Sequence, residues 1–473
     1  MKKAILLGLT VLGLLALAAC NKESGQNQPG VQGEQKDAGK KENKNKKTHK
    51  FVPEDFIPGG GSEVLQTEKG YYYLNNCNIR YVDTATGNDI FLCNKPECRH
   101  DGNEFCVATN DKYQIYAMRL YNGKLLAVAS EVTETELVYK LLLIEPDGSA
   151  MDELVTYMTM AISGQVLYGM PDGFDEFQIH RNWVMLPFSS GFSSDDAVYF
   201  SDTSFYGTAL YNLDTGELVY LDEEPFGKEN GAVFSIQGYK DWIYYCKIEE
   251  GKARLHRYNL TDGTDESYTL FPSFAGVYGI KDEYTVVYVK CNGTSKVSNE
   301  ICLCHTDTGE NETAATLMRM ESGKWLDGTE YERERMVDVL DMTMDDTYIY
   351  VFEQEVSGER LDADTGEWVP FYDSYIQIYD HDLNKVVEFD LADAVVEVMP
   401  EMKEGPITKK DGETVLYSKK PALYFLNGEA YCFINASIEG DIVYWVYRCK
   451  QSDLLAGTPE LELVYKTHKQ INK

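Results

Sequence analysis

Four residues able to ligate a soft metal stand close together near the start of the chain. Cys93, Cys98, His100 and Cys106 occur in the run Cys93-Asn94-Lys95-Pro96-Glu97-Cys98-Arg99-His100, followed by Cys106. Three thiolates and one imidazole are the donor set of a closed tetrahedral zinc site. Four protein ligands leave no position open for substrate, so the candidate cofactor is a structural zinc. Cys98 and His100 are two apart and share one side of an extended chain. The Lys95-Pro96 turn folds Cys93 back toward them. The same residues also suit a disulfide staple across the loop, with His100 incidental and the third thiol unbonded or joined to Cys77. Metal, disulfide and unbonded thiols all remain open at this point.

The other chemistry-bearing residues are dispersed. Besides Cys20 and the three above, cysteines stand at 77, 246, 291, 302, 304, 432 and 449. Cys302 and Cys304 share one face of a strand and read as core. Cys432 and Cys449 flank a hairpin with its turn at Glu439-Gly440, a register that sets Cys432 opposite Tyr447. No Gly-x-Ser-x-Gly elbow, phosphate-binding Gly-rich loop or His-Glu-x-x-His pair occurs. Asp364-Thr365-Gly366-Glu367-Trp368 approaches the Asp box of sialidase propellers but misplaces its Trp, and reads as a hairpin turn. His180, His256, His305 and His381 are scattered and read as hydrogen-bonded structural residues.

The elements that must position these residues are strands. After Lys50 the chain shows short apolar, Tyr-rich runs separated by turn signals, an all-β pattern. One unit recurs: Asp241-Trp242-Ile243-Tyr244-Tyr245-Cys246, then Leu255-His256-Arg257-Tyr258-Asn259-Leu260-Thr261-Asp262-Gly263. Copies begin at Gly70 and Lys124, at Ala197 paired with Leu210–Gly216, and at Tyr284, Asp346 and Ala430. About seven units fit a β-propeller of four-stranded antiparallel blades, with six or eight as neighbouring counts. The Asp-Thr-Gly turns at 214–216 and 307–309 read as hairpins with Gly at positive φ, not as calcium loops. Three stretches interrupt the repeat: 151–180, 317–340 and a short helix over 390–398 capped by Asp390. Insertions of this kind carry binding sites in propellers. Strand aromatics such as Trp183, Trp242, Trp368 and Tyr71–Tyr73 read as filler between blades, whereas Trp325, inside an insertion, is the candidate ligand contact.

The 241–263 unit resembles the repeat of low-density-lipoprotein-receptor-type (YWTD-like) propellers and their bacterial relatives, although the strict Tyr-Trp-Thr-Asp core is absent. The first twenty residues resemble a bacterial lipoprotein signal: Lys2 and Lys3, an apolar run from Ala4 to Ala19, and Leu17-Ala18-Ala19-Cys20. That resemblance implies removal of residues 1–19 and lipid on Cys20, and two acyl chains suffice for stable anchoring. Residues 20–50 read as a flexible basic tether, with eight Lys and four acids in 21–50. Residues 51–473 read as one propeller domain. The whole resembles the surface lipoproteins of Firmicutes.

The chain carries 44 Lys+Arg against 77 Asp+Glu, a net charge of −33. Binding to nucleic acid requires a basic face, so that class of partner is excluded. The expected function is therefore that of a non-catalytic binding or interaction module, held to the cell membrane outside the cytoplasm and taking a protein partner or a cell-surface glycan. The alternatives are a glycan-active lyase or hydrolase using carboxylates in the propeller funnel, or a scaffold subunit of an envelope complex.

Overall fold

The computed structural model describes most residues between 64 and 466. Residues 1–63, 162–176, 200–204, 222–232, 292–297, 325–328, 362–367, 399–406, 409–413 and 467–473, together with several other short stretches, lie outside the described residues. Cys20, the tether and Trp325 fall in those stretches.

The described residues form a seven-bladed propeller of antiparallel sheets. Blade 1 is Val64–Gln66, Gly70–Asn75, Asn78–Asp83 and Asp89–Phe91, and blade 2 is Gln114–Tyr121, Lys124–Val132, Glu136–Ile144 and Met151–Ala161. Blade 3 is Gln178–His180, Trp183–Ser190, Phe205–Asn212 and Leu218–Tyr220, and blade 4 is Val233–Tyr239, Trp242–Glu249, Lys252–Asn259 and Asp265–Thr269. Blade 5 is Ala275–Asp282, Thr285–Cys291, Ser298–His305 and Glu310–Thr316, and blade 6 is Val339–Met344, Tyr348–Glu353, Tyr375–Asp380 and Lys385–Asp390. Blade 7 is Ala422–Leu426, Glu429–Ile438, Asp441–Lys450 and Glu462–Lys466, with an extra hairpin, Ile407–Thr408 and Thr414–Tyr417, against the far end of its second strand.

The middle strands are apolar at consecutive positions because both of their faces are buried. In blade 2, Leu125, Ala127 and Ala129 pack toward blade 1, while Leu126 and Val128 pack toward blade 3. In blade 6, Ile349 and Val351 face blade 5, while Tyr350 and Phe352 face blade 7. The core is thus a series of clusters between successive blades, six of them among the described residues. Polar stitches reinforce it: Tyr72 donates to Pro146 O at 3.0 Å, Tyr157 to Pro187 O at 3.0 Å, and Tyr244 to Glu283 O at 2.7 Å. Where blade 7 meets blade 1, burial pushes the Tyr71 hydroxyl up to about 12, with Tyr431, Arg448 and Glu429 of blade 7 within electrostatic range.

The expected turns hold, with Gly216, Gly263 and Gly309 at φ of 71°, 75° and 73°. So does the register of the last hairpin, which sets Cys432 opposite Tyr447. The helix α1 runs Leu391–Val398. Two expectations need correction. Met151–Ala161 does not open an insertion but is the outer strand of blade 2. Its Asp152, Glu153, Thr156 and Thr159 mask the apolar signal, as polar residues do on an edge strand. Ala197–Tyr199 is not the partner of 205–212. It pairs with Phe192–Ser194 in a side hairpin, and the true partner is Trp183–Ser190.

Most elaborations share one end of the propeller; the exception is the short helix Gln451–Leu455, in the third-to-fourth link of blade 7. In an antiparallel meander, the turns joining first to second and third to fourth strands lie at one end, and the remaining links lie at the other. The first-to-second turns are tight, such as Asn122-Gly123, Arg181-Asn182 and Lys240-Asp241. The opposite end carries the hairpins Phe192–Ser194/Ala197–Tyr199, Met318–Lys324/Glu330–Met336 and Val356–Leu361/Trp368–Asp373, together with α1 and the hairpin at 407–417.

Candidate metal centre

The segment after blade 1 folds into a tight knot. Leu92 N–H donates to Ile79 O at 3.0 Å, and Cys93 N–H turns back to Phe91 O at 2.8 Å. Cys98 N–H donates to Lys95 O at 3.1 Å, closing the Lys95-Pro96 turn. His100 takes a left-handed backbone, φ 54°, and stacks its ring on Phe91 at 4.8 Å. Ile79 N–H to Ala108 O, 2.9 Å, returns the chain along blade 1.

Blade 2 holds the other side. Gly148, at φ 68°, seats directly on the Leu92–Cys93 backbone, where an added Cβ would lie 2.4 Å from Leu92 O. Asn94 Nδ2 reaches Asp147 Oδ2 at 3.3 Å. The knot therefore rests on both blades, beside the cluster that includes Leu92, Cys106, Ile144 and Met151.

This fold brings together all four residues singled out by their spacing. The ligating atoms of Cys93, Cys98, His100 and Cys106 lie within 4.8 Å of one another. A tetrahedral ion with sulfur at ~2.3 Å sets its ligands ~3.8 Å apart, so the group needs only a small contraction to hold one. His100 Nδ1 is 3.5 Å from Cys106 Sγ, and Thr109 Oγ1 donates to the same sulfur at 3.2 Å. Burial pushes the Cys106 thiol up, but hydrogen bonds from Thr109, His100 and Cys98 outweigh it and bring it down to about 6. Burial holds the Cys93 thiol above its ordinary range, and Cys98 and Cys106 add to that. One sulfur favours the thiolate while its neighbour resists a second negative charge, a conflict that a divalent cation relieves. Cys93, Cys98 and Cys106 all carry free thiols. Thr109 and Gly148 are not recognisable from the sequence. Thr109 carries no motif, and the Pro146-Asp147-Gly148 turn is visible as a turn but not as a seat for Cys93.

The remaining candidates are structural. His180 Nε2 donates to Lys240 O at 2.8 Å, and burial lowers its pKa. His381 donates to Asp345 O at 3.0 Å, His256 lies 3.2 Å from Asp265, and His305 lies 3.4 Å from Glu312. Trp183 and Tyr71–Tyr73 are buried, and Trp242 packs on the Arg257 guanidinium at 4.3 Å. Cys302 and Cys304 are core residues.

A second polar cluster has no counterpart among the sequence expectations. Arg319 and Arg335, directly opposite in the 318–336 hairpin, both reach Glu353 of blade 6, at 3.3 and 3.0 Å. The Glu353 side chain is 2% exposed, and Arg319 also lies over Tyr375 at 3.5 Å.

No protein-family model matches the chain, and no curated protein matches it. Solved structures match at low similarity. Oligogalacturonate lyase in complex with manganese is 11% identical with a TM-score of 0.32, over 53% of this chain and 62% of that one. A post-proline cleaving enzyme from Rickettsia typhi is 8% identical with a TM-score of 0.43, over 86% and 53%. Oligopeptidase B from Leishmania major is 11% identical with a TM-score of 0.39, over 88% and 49%. The chain thus spans about three fifths of the lyase and about half of each peptidase, and likeness at this level carries nothing about activity.

Proposed function

We propose that the chain is a lipid-anchored, extracytoplasmic propeller that binds a protein or glycan at the cell surface without catalysing a reaction. The lipid is carried on Cys20, and a structural zinc is held by Cys93, Cys98, His100 and Cys106. The observation that carries the binding role is the gathering of four added hairpins at one end of the ring. Seven blades need only tight turns to close, so hairpins at 192–199, 318–336, 356–373 and 407–417 are not explained by folding. Trp325, between the strands of the second of these, is the proposed ligand contact.

The test uses the full chain in membranes, with a photo-crosslinking residue placed at Met320, which is 54% exposed in the 318–336 hairpin, or at Asn122 in the tight turn of the opposite end. Adducts from Met320 that disappear in Trp325→Ala support the reading. Adducts from Asn122 alone, or turnover of an oligosaccharide by the purified chain, overturn it. Zinc is tested separately, by metal analysis of chain purified under reducing conditions.

A further inference from the structure

We infer that Cys93 and Cys98 form a thiol–disulfide switch whose oxidation dismantles the metal site. The inference rests on the metal reading above and adds a modification to it. Three observations carry it.

The first is reach. The sulfurs of Cys93 and Cys98 belong to a group whose ligating atoms lie within 4.8 Å of one another. The turn between them is already closed by Cys98 N–H to Lys95 O. A disulfide needs its sulfurs at ~2.05 Å, a distance that side-chain rotation can supply once the ion no longer holds them apart.

The second is access. Cys93 and Cys98 are half-buried, whereas Cys106 is fully buried and held by Thr109 and His100. An incoming reagent meets the first two, so the third sulfur is the one left over.

The third is consequence. Cys93 is seated on Gly148 of blade 2, so the backbone on that side has no room to follow a moving side chain. The bridged state then offers an ion only Cys106 and His100, half of the donor set.

The oxidant is a low-molecular-weight disulfide. The Cys98 thiolate attacks one of its sulfurs, forming a mixed disulfide and expelling one thiolate. The Cys93 thiolate then attacks the Cys98 sulfur and expels the second. Two cysteine thiolates are oxidised, one external disulfide is reduced to two thiolates, and the ion is released with two of its ligands gone. Excess thiol reverses each step.

The experiment titrates zinc-loaded full chain with oxidised glutathione and reads three quantities: zinc released, intact mass and the bridged peptide. One equivalent of zinc should leave as the chain loses two hydrogens and a Cys93–Cys98 peptide appears, and reductant should restore binding. Zinc affinity should fall by more than the ~10–100-fold that disturbing groups behind metal ligands produces. His100→Gln should weaken zinc binding yet still form the bridge, whereas Cys93→Ser should lose both. Zinc retained under oxidation, or a bridge to Cys106 instead, overturns the switch while leaving the metal reading intact. Reduced chain that takes up no zinc overturns both.

Discussion

Glu353→Ala tests whether the 318–336 hairpin is clamped to blade 6 by one buried carboxylate. Removing it leaves Arg319, 7% exposed, without its counter-charge, and breaking a buried pair in this way costs about 3–5 kcal/mol. Two features reduce the loss. Arg335 is 30% exposed and rehydrates, so its share is that of a surface pair, about 0–1 kcal/mol. Arg319 keeps the Tyr375 ring at 3.5 Å, a contact worth about 0.5–2 kcal/mol. The expected loss is therefore about 2–3 kcal/mol, below the full figure for a stranded buried charge. Glu353→Leu combined with Arg319→Met should recover much of it, because a buried pair can be replaced by apolar groups at little cost. Urea unfolding of the full chain measures each loss, provided fluorescence and circular dichroism transitions coincide. Burial raises the Glu353 carboxyl, with the two arginines offsetting only part of the effect. The folded state therefore binds this proton more tightly than the unfolded state does, and the wild type should gain stability relative to Glu353→Gln as pH falls from neutral through the folded pKa. A loss under about 0.5 kcal/mol for Glu353→Ala, within the range of ordinary surface substitutions, would refute the clamp. So would a double variant no more stable than the worse single one.

Two glycines at blade junctions should respond differently to alanine. At Gly238 the new Cβ falls 2.1 Å from the His180 ring, which is fixed by its hydrogen bond to Lys240 O, so Gly238→Ala should cost about 1–3 kcal/mol. At Gly279 it meets Met344 Sδ, a flexible side chain that can move, and thermal unfolding should show a smaller loss; equal losses would contradict this account. Tyr113, Lys140 and Lys112 hold the Glu153 carboxyl down at about 2, against the opposing effect of burial. Its contribution is present above the unfolded value of 4.5 and lost as pH falls toward 2, so Glu153→Gln should lower stability at neutral pH and flatten the acid limb of the stability curve. Cys20→Ala should move the chain from the membrane to the soluble fraction, and retention of the variant in washed membranes would count against the lipid anchor.

The parts of the fold legible in the sequence are those fixed by a few neighbouring residues. Gly216 and Gly309 mark positive-φ turns, and the spacing between the last two long strands gives the register that pairs Ile438 with Asp441 and places Tyr447 across from Cys432. Strand pairing depends on distant residues, and there the local pattern misleads. Ala197–Tyr199 and Trp183–Ser190 are both short apolar runs before the same strand, and it is the packing of Trp183–Phe188 against blades 2 and 4 that marks the true partner. The metal centre divides along the same line. Its four ligands announce themselves by type and spacing, but their convergence depends on Gly148, contributed by the next blade. Glu353 carries no signal among 77 acids, and only its two arginines single it out. Both clusters sit where a link between blades departs from the repeat, after blade 1 and after blade 5. The repeat itself specifies strands and turns that any propeller needs, so the chemistry peculiar to this chain should be sought in those departures. A variant in which 318–336 is replaced by a tight turn should therefore keep the clusters between blades and lose partner binding; loss of the fold instead would mean that the hairpin belongs to the scaffold.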